Sequence, residues 1–227
     1  MPRTTMKLAA AVLAAGLAAT ACSTARLGAA AITGSQRISS TTLADEVNDL
    51  NTAYQADKRG IQLQFPASQM PQEVLAWLIR FQVRDRLAEQ QGITVTPTDV
   101  QQALEAISAS IRQGGGTATL PQVAVANGLP PDLLPELGRY QAIETKLLNR
   151  LDGGTLPASS SAQQALENQF NTSQCRAAKS LDILVNPQYG SLNYSDLSVV
   201  LTPSALSRTQ VTVPTPAASK PVLTPPC

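Results

Sequence analysis

The stretch EVLAWLIRFQVRDRLAEQQGITVTPTDVQQAL, residues 73–104, decides how this chain is read. Its first part carries Val74, Leu75, Trp77, Leu78, Ile79, Phe81, Val83 and Leu87. These positions cover more than one stripe of a helix, so a helix over 71–91 should be central and buried on several sides. Pro71 suits its first turn, where a missing N–H costs nothing. Gly92 suits its end, because glycine accepts the left-handed conformation that closes a helix. Thr96-Pro97-Thr98-Asp99 then opens a second helix with a hydroxyl cap, a proline at the first helical position and an acid that can bond back to the cap. Val100, Leu104, Ile107 and Ile111 form its stripe, and Gly114-Gly115-Gly116 stops it. The triple glycine is a connection rather than a phosphate loop, since no Gly-Lys-Ser/Thr follows it and the residues before it read as helix.

Upstream, Leu43, Val47, Leu50 and Tyr54 recur on one face of a helix over 42–58, which Ser40, Thr41 or Thr42 can cap. Residues 29–38, AAAITGSQRI, hold a short extended segment. Downstream, a short helix runs over 120–127 and closes at Gly128. Pro130-Pro131-Asp132 starts a longer one, to about 151, with Leu133, Leu137, Tyr140, Leu147 and Leu151 inward. Residues 152–161, DGGTLPASSS, form a loop. A last helix covers 161–179 with Ala162, Leu166, Phe170 and Ala177 on one face. After Lys179 the pattern alternates around Asn-Pro and Tyr-Gly breaks and predicts two short strands with a turn. The expected fold is mainly α: a helical body with a small strand pairing between the N-terminal segment and the C-terminal strands, spanning 29–201. Residues 202–227 are Pro/Thr/Ser-rich and too poor in bulky apolar side chains to offset the entropy of ordering, so they read as a disordered tail whose threonines could carry sugars.

Composition narrows the chemistry. The 227 residues include 17 Lys+Arg against 16 Asp+Glu with no basic block, which argues against a nucleic-acid partner. Histidine is absent, and with it the commonest general base and the commonest metal ligand. The three cysteines include no C-x-x-C pair, so no zinc site is expected. No Ser–Lys or Asp–Asp pairing stands out as catalytic, and no cofactor is expected.

The N-terminus points to a compartment. Arg3 and Lys7 precede an uncharged run from Leu8 to Ala21, about the length of a signal-peptide core and too short to span a bilayer. Ala19-Thr20-Ala21 sits just before Cys22. This arrangement resembles the lipobox of bacterial lipoproteins, although Ala19 stands where that motif usually carries leucine. The resemblance implies a signal peptide over 1–21, lipidation of Cys22 and a tether over 22–28. The protein would then be lipid-anchored to the cell membrane on its extracytoplasmic face. An ordinary secretory signal and a buried apolar helix are the alternatives.

Three segments carry a second resemblance: AITGSQRISSTTLADEV, the 73–104 stretch, and LDILVNPQYGSL. In this order they resemble the SurA N-terminal-like domain family of extracytoplasmic chaperones, in its actinobacterial lipoprotein form. The resemblance covers about 29–201. It implies binding of unfolded or unassembled exported polypeptides, with the N-terminal segment and the final strand paired around the helical body. Many relatives insert a parvulin-type isomerase domain before the last helix. Here that place holds only 152–161, and the histidine usual in parvulin sites is missing, so the resemblance implies a chaperone module without isomerase activity. A structural or adaptor envelope lipoprotein that binds one folded partner is the alternative function.

Among individual residues, Trp77, Phe81 and Tyr140 are candidates to line an apolar peptide groove, against the plainer reading that they are core. Arg84, Asp85, Arg86 and Glu89 read as a solvated helix face. Asp45, Glu46 and Asp49 read as acids placed favourably near a helix N-terminus rather than as a cation site. Cys175 lies nine residues past Leu166, half a turn off the apolar stripe. An exposed cysteine in an oxidising compartment is usually paired, so a Cys175–Cys227 disulfide is the candidate, against free or intermolecular thiols.

Overall fold

Helix α2, Met70–Gln91, is the element around which the others assemble. In the computed structural model, which describes residues 28–154 and 159–201, it is flanked by α1 (Ser40–Ala56), α5 (Leu134–Leu151), α6 (Ser160–Ser180) and the strands β1 (Ala29–Thr33) and β5 (Ser198–Val200). Val74, Leu75, Ile79, Val83 and Leu87 are all essentially inaccessible. They meet Leu43 and Leu50 of α1, Ile143 and Leu147 of α5, Ala177 and Ala178 of α6, and Leu197 and Val199 near the C-terminal end. Burying a side chain of this kind contributes about 1.5–3 kcal/mol. The wide apolar face expected for this helix is therefore used on all sides, and Gly92 closes it with φ +59°.

The helix boundaries follow their local chemistry. Ser39 caps α1, its hydroxyl accepting from the Thr42 N–H at 2.9 Å, one residue before the caps expected from the sequence. The capping box opens α3 (Pro97–Gln113): the Thr96 hydroxyl accepts from the Asp99 N–H, and Asp99 Oδ2 accepts from the Thr96 N–H at 2.7 Å. Thr119 and Gln122 build a second box at α4 (Leu120–Ala126). The helix expected from 130 begins later. A 3-10 turn over Pro131–Leu133 comes first, and α5 proper starts at Leu134 with Pro135 in its first turn.

The strand content departs further from expectation. Residues 29–38 are not one extended segment but a hairpin: β1 turns at Gly34 (φ +60°) into β2, Gln36–Ser39. After α6 there are three short strands rather than two: β3 (Leu184–Val185), β4 (Ser191–Asn193) and β5. The expected pairing of the two ends is present. β1 is the middle strand of a sheet ordered β2-β1-β3, with Ala31 opposite Val185 and Ile32 opposite Leu184. Ala30 and Ala31 are buried, and their small side chains let the sheet lie close against α2. The Thr33 hydroxyl donates to the Gln82 side-chain oxygen and ties β1 to that helix.

Helix α3 leans on α5 alone for most of its packing, with only Ala103 fully buried. Gly138 makes that approach feasible, since a Cβ there would meet Val100 Cγ1 at 2.8 Å and the Val100 carbonyl oxygen at 2.9 Å. Lys146 Nζ of α5 bridges to Asp99 Oδ2 at 2.7 Å. That bond, with the Thr96 cap, holds the Asp99 carboxyl down at about 2. The first half of α6 stands clear of the body. Ala162, expected to point inward, is exposed, and Phe170 is the first fully buried residue of this helix. Residues 1–27 and 202–227, including Cys22, Cys227, the leader, the tether up to Leu27 and the tail, lie outside the described residues.

Candidate functional site

The three aromatic residues singled out in the sequence do converge. The Trp77 and Phe81 rings are 5.8 Å apart, and Tyr140 stands edge-on to both at 6.1 Å. They fill a small second core with Leu129, Leu133, Leu134 and Leu137, and Phe81 is only 7 % exposed. The Trp77 indole N–H donates to the Asn127 carbonyl at 2.9 Å. Their rings pack on one another and on leucines, with Phe81 buried and Trp77 and Tyr140 half-buried.

Arg84 was expected on a solvated face and is instead buried, at 1 % exposure. Its guanidinium lies 3.9 Å from the Tyr140 ring centre and 4.7 Å from that of Phe170, with Glu144 Oε2 3.3 Å away. It therefore joins α2, α5 and α6 by stacking and one ion pair. Nε and Nη1 have no hydrogen-bond partner. Its neighbours Asp85 and Arg86 do keep to the surface pattern: Arg139 Nε bridges to Asp85 at 2.7 Å, and Arg86 pairs with Glu89 at 3.2 Å.

The open apolar groove lies elsewhere, along α1. It has a volume of about 550 Å³. Leu43, Ala44 and Val47 of α1, Met70 and Pro71 of α2, and Tyr189 line it. The exposed polar residues Asn48, Asn51 and Ser68 line it as well. An apolar trough lined also by amides and a hydroxyl suits an extended peptide, whose side chains seek the apolar surface and whose backbone seeks the polar groups.

The turn Asn186-Pro187-Gln188-Tyr189-Gly190 brings Tyr189 into this lining. Asn186 fixes its start: its backbone N–H donates to the Ala30 carbonyl at 2.9 Å and its side-chain amide to that of Ala29 at 3.0 Å. The Tyr189 N–H donates back to the Asn186 carbonyl at 2.9 Å, which closes the turn. Gln72 of α2 then holds the Tyr189 carbonyl at 3.3 Å. Sequence reading singled out this motif as a strand and missed Tyr189 as a lining residue, because its partners come from two distant helices. A second hollow, about 400 Å³, runs beside the edge of β3, with Leu184 44 % exposed over it.

Cys175 sits half-buried on α6 rather than exposed, and it is disulfide-bonded. Cys22 and Cys227, the two cysteines that could partner it, are both outside the described residues. No helix among the described residues is long and apolar enough to cross a membrane. Compared with known proteins, the chain matches no family model, no curated protein and no solved structure.

Proposed function

We propose that this protein is a lipid-anchored extracytoplasmic holdase. It retains exposed apolar segments of unfolded or unassembled exported polypeptides in the groove along α1 and has no isomerase activity of its own. The groove is the observation that carries this reading: an apolar trough with amides in its lining is chemistry that recognises polypeptide without reading its sequence. The leader ending at Cys22 and the likeness of the 73–104 stretch to SurA N-terminal-like domains support it. Under this reading Cys22 carries lipid, and Cys227 is the cysteine left to bond Cys175.

A charge placed in the trough tests the idea. Ala44 is exposed, so Ala44→Lys should leave stability within about 0.5 kcal/mol of wild type. It should abolish most of the suppression of aggregation that the mature chain gives an unfolded client. Wild-type protein that fails to suppress at several-fold molar excess, or a lysine variant that suppresses equally, would refute the proposal. The anchor is tested separately: metabolic palmitate should label wild type and not Cys22→Ala, and equal labelling would remove the membrane assignment.

A second reading, an adaptor for one folded envelope partner, draws on the exposed Leu184, Val200 and Leu201. A pull-down distinguishes the two, with many weakly held clients for a holdase and one stoichiometric partner for an adaptor.

A further inference from the structure

Three carboxylates meet between α1 and the 3-10 turn that precedes α5. Oxygens of Glu46, Asp49 and Asp132 all lie within 4.8 Å of one another. The acids on α1 are therefore not the helix-terminal placement expected from the sequence: the first turn of α1 holds none, and Asp132 arrives from a separate element. Glu46 Oε2 is buried and has no hydrogen-bond donor. Carboxylates this close cannot all ionise without strong mutual repulsion.

Asp49 and Asp132 are exposed to solvent, and the charges acting on Glu46 are negative. Asp132, Asp49 and Asp45 all act on Glu46 with negative charge. Helix α4, which also touches α1, carries no charged residue, and the one charge on β2 is Arg37. On α2, Arg84 is taken by Glu144, Arg86 by Glu89, and Arg80 lies over the Trp77 ring. Among the described residues no lysine or arginine is paired with Glu46.

We propose that Glu46 and Asp132, with Asp49 beside them, form a proton-operated clasp. It holds α1 to the turn before α5 when Glu46 carries its proton, and it loosens when Glu46 ionises. A proton on Glu46 turns a repulsive pair into a hydrogen bond to the Asp132 carboxylate, whose oxygen lies within 4.8 Å. Burial first, then the charge of Asp132, pushes the Glu46 carboxyl up to about 7. The clasp's stabilisation is thus complete below the ordinary glutamate value and is lost as pH rises through about 7. The chain has no histidine, so the usual sensor of this pH range is missing and this cluster stands in its place. The inference does not depend on what the groove binds.

The protein contains its own reporter. Trp77 is the single tryptophan, and it packs in the same small core as Leu133 and Leu134, the two residues that follow the clasp residue Asp132. Fluorescence of the full chain, titrated between about pH 5 and 8.5, should show a transition with its midpoint near 7. Glu46→Gln should flatten that transition, and Asp132→Asn should move its midpoint toward the ordinary glutamate range. A flat wild-type curve, or a Glu46→Gln curve like wild type, overturns the clasp. If Glu46→Gln does not fold, Asp132→Asn decides alone: an unchanged midpoint overturns the proposal, and a lowered one upholds it.

Discussion

Replacing Arg84 by alanine should cost about 3 kcal/mol of stability, against about 1 kcal/mol or less for Arg84→Met. The argument separates volume from charge. Removing one partner of a buried ion pair commonly costs about 3–5 kcal/mol, because the other charge is stranded. Here the partner Glu144 keeps 29 % of its side chain exposed and can be rehydrated, so the stranding is partial. What alanine removes in full is the slab of side chain between the Tyr140 and Phe170 rings, which leaves a cavity where three helices meet. Methionine refills that slab with a flexible, polarisable chain. It also removes a buried guanidinium with two unpartnered nitrogens. Urea denaturation of the three proteins measures both numbers. A methionine variant as unstable as the alanine one would mean that the charge, rather than the filling, holds the junction.

Gly190→Ala should cost a similar amount, about 3 kcal/mol, and should also weaken client retention. Gly190 has φ +123°, a conformation that L side chains rarely adopt. A Cβ there would lie 2.2 Å from the Val200 carbonyl oxygen, so the turn and β5 could not keep their present spacing. Backbone against backbone offers no flexible side chain to yield. The neighbouring Tyr189 lines the groove, and its carbonyl is the one Gln72 holds. The substitution should therefore lower the thermal midpoint and reduce aggregation suppression together, whereas Ala44→Lys should reduce suppression alone. Gly190→Ala protein with a wild-type midpoint would show that this turn adjusts freely.

The helices were legible because their signals are local. Gly92, the Thr96–Asp99 box and the wide apolar face of 73–87 each specify their own few residues and need nothing distant. The hairpin of β1 and β2 was not, since AAAIT has little strand character of its own and becomes a strand only against α2 and β3. Arg84 misled for the same reason in reverse. In sequence it belongs to a charged run, and it becomes interior only when rings 56 and 86 positions later close over it. The aromatic trio was found, yet its mutual packing could not be read from spacing. The groove and the place of Asp132 beside Glu46 and Asp49 were missed because each joins segments that meet only in the folded chain.

The antiparallel match of Ala31 with Val185 carries a consequence for how the molecule comes into being. The first strand among the described residues is completed by one about 150 residues later. Until that later segment is in place, β1 lacks one neighbour and the core lacks one flank. Helices α1 to α5 can form and pair early, since their contacts are short in sequence, but the sealing step must close a loop of about 150 residues. Until then β1 is an exposed edge that a neighbouring chain could capture.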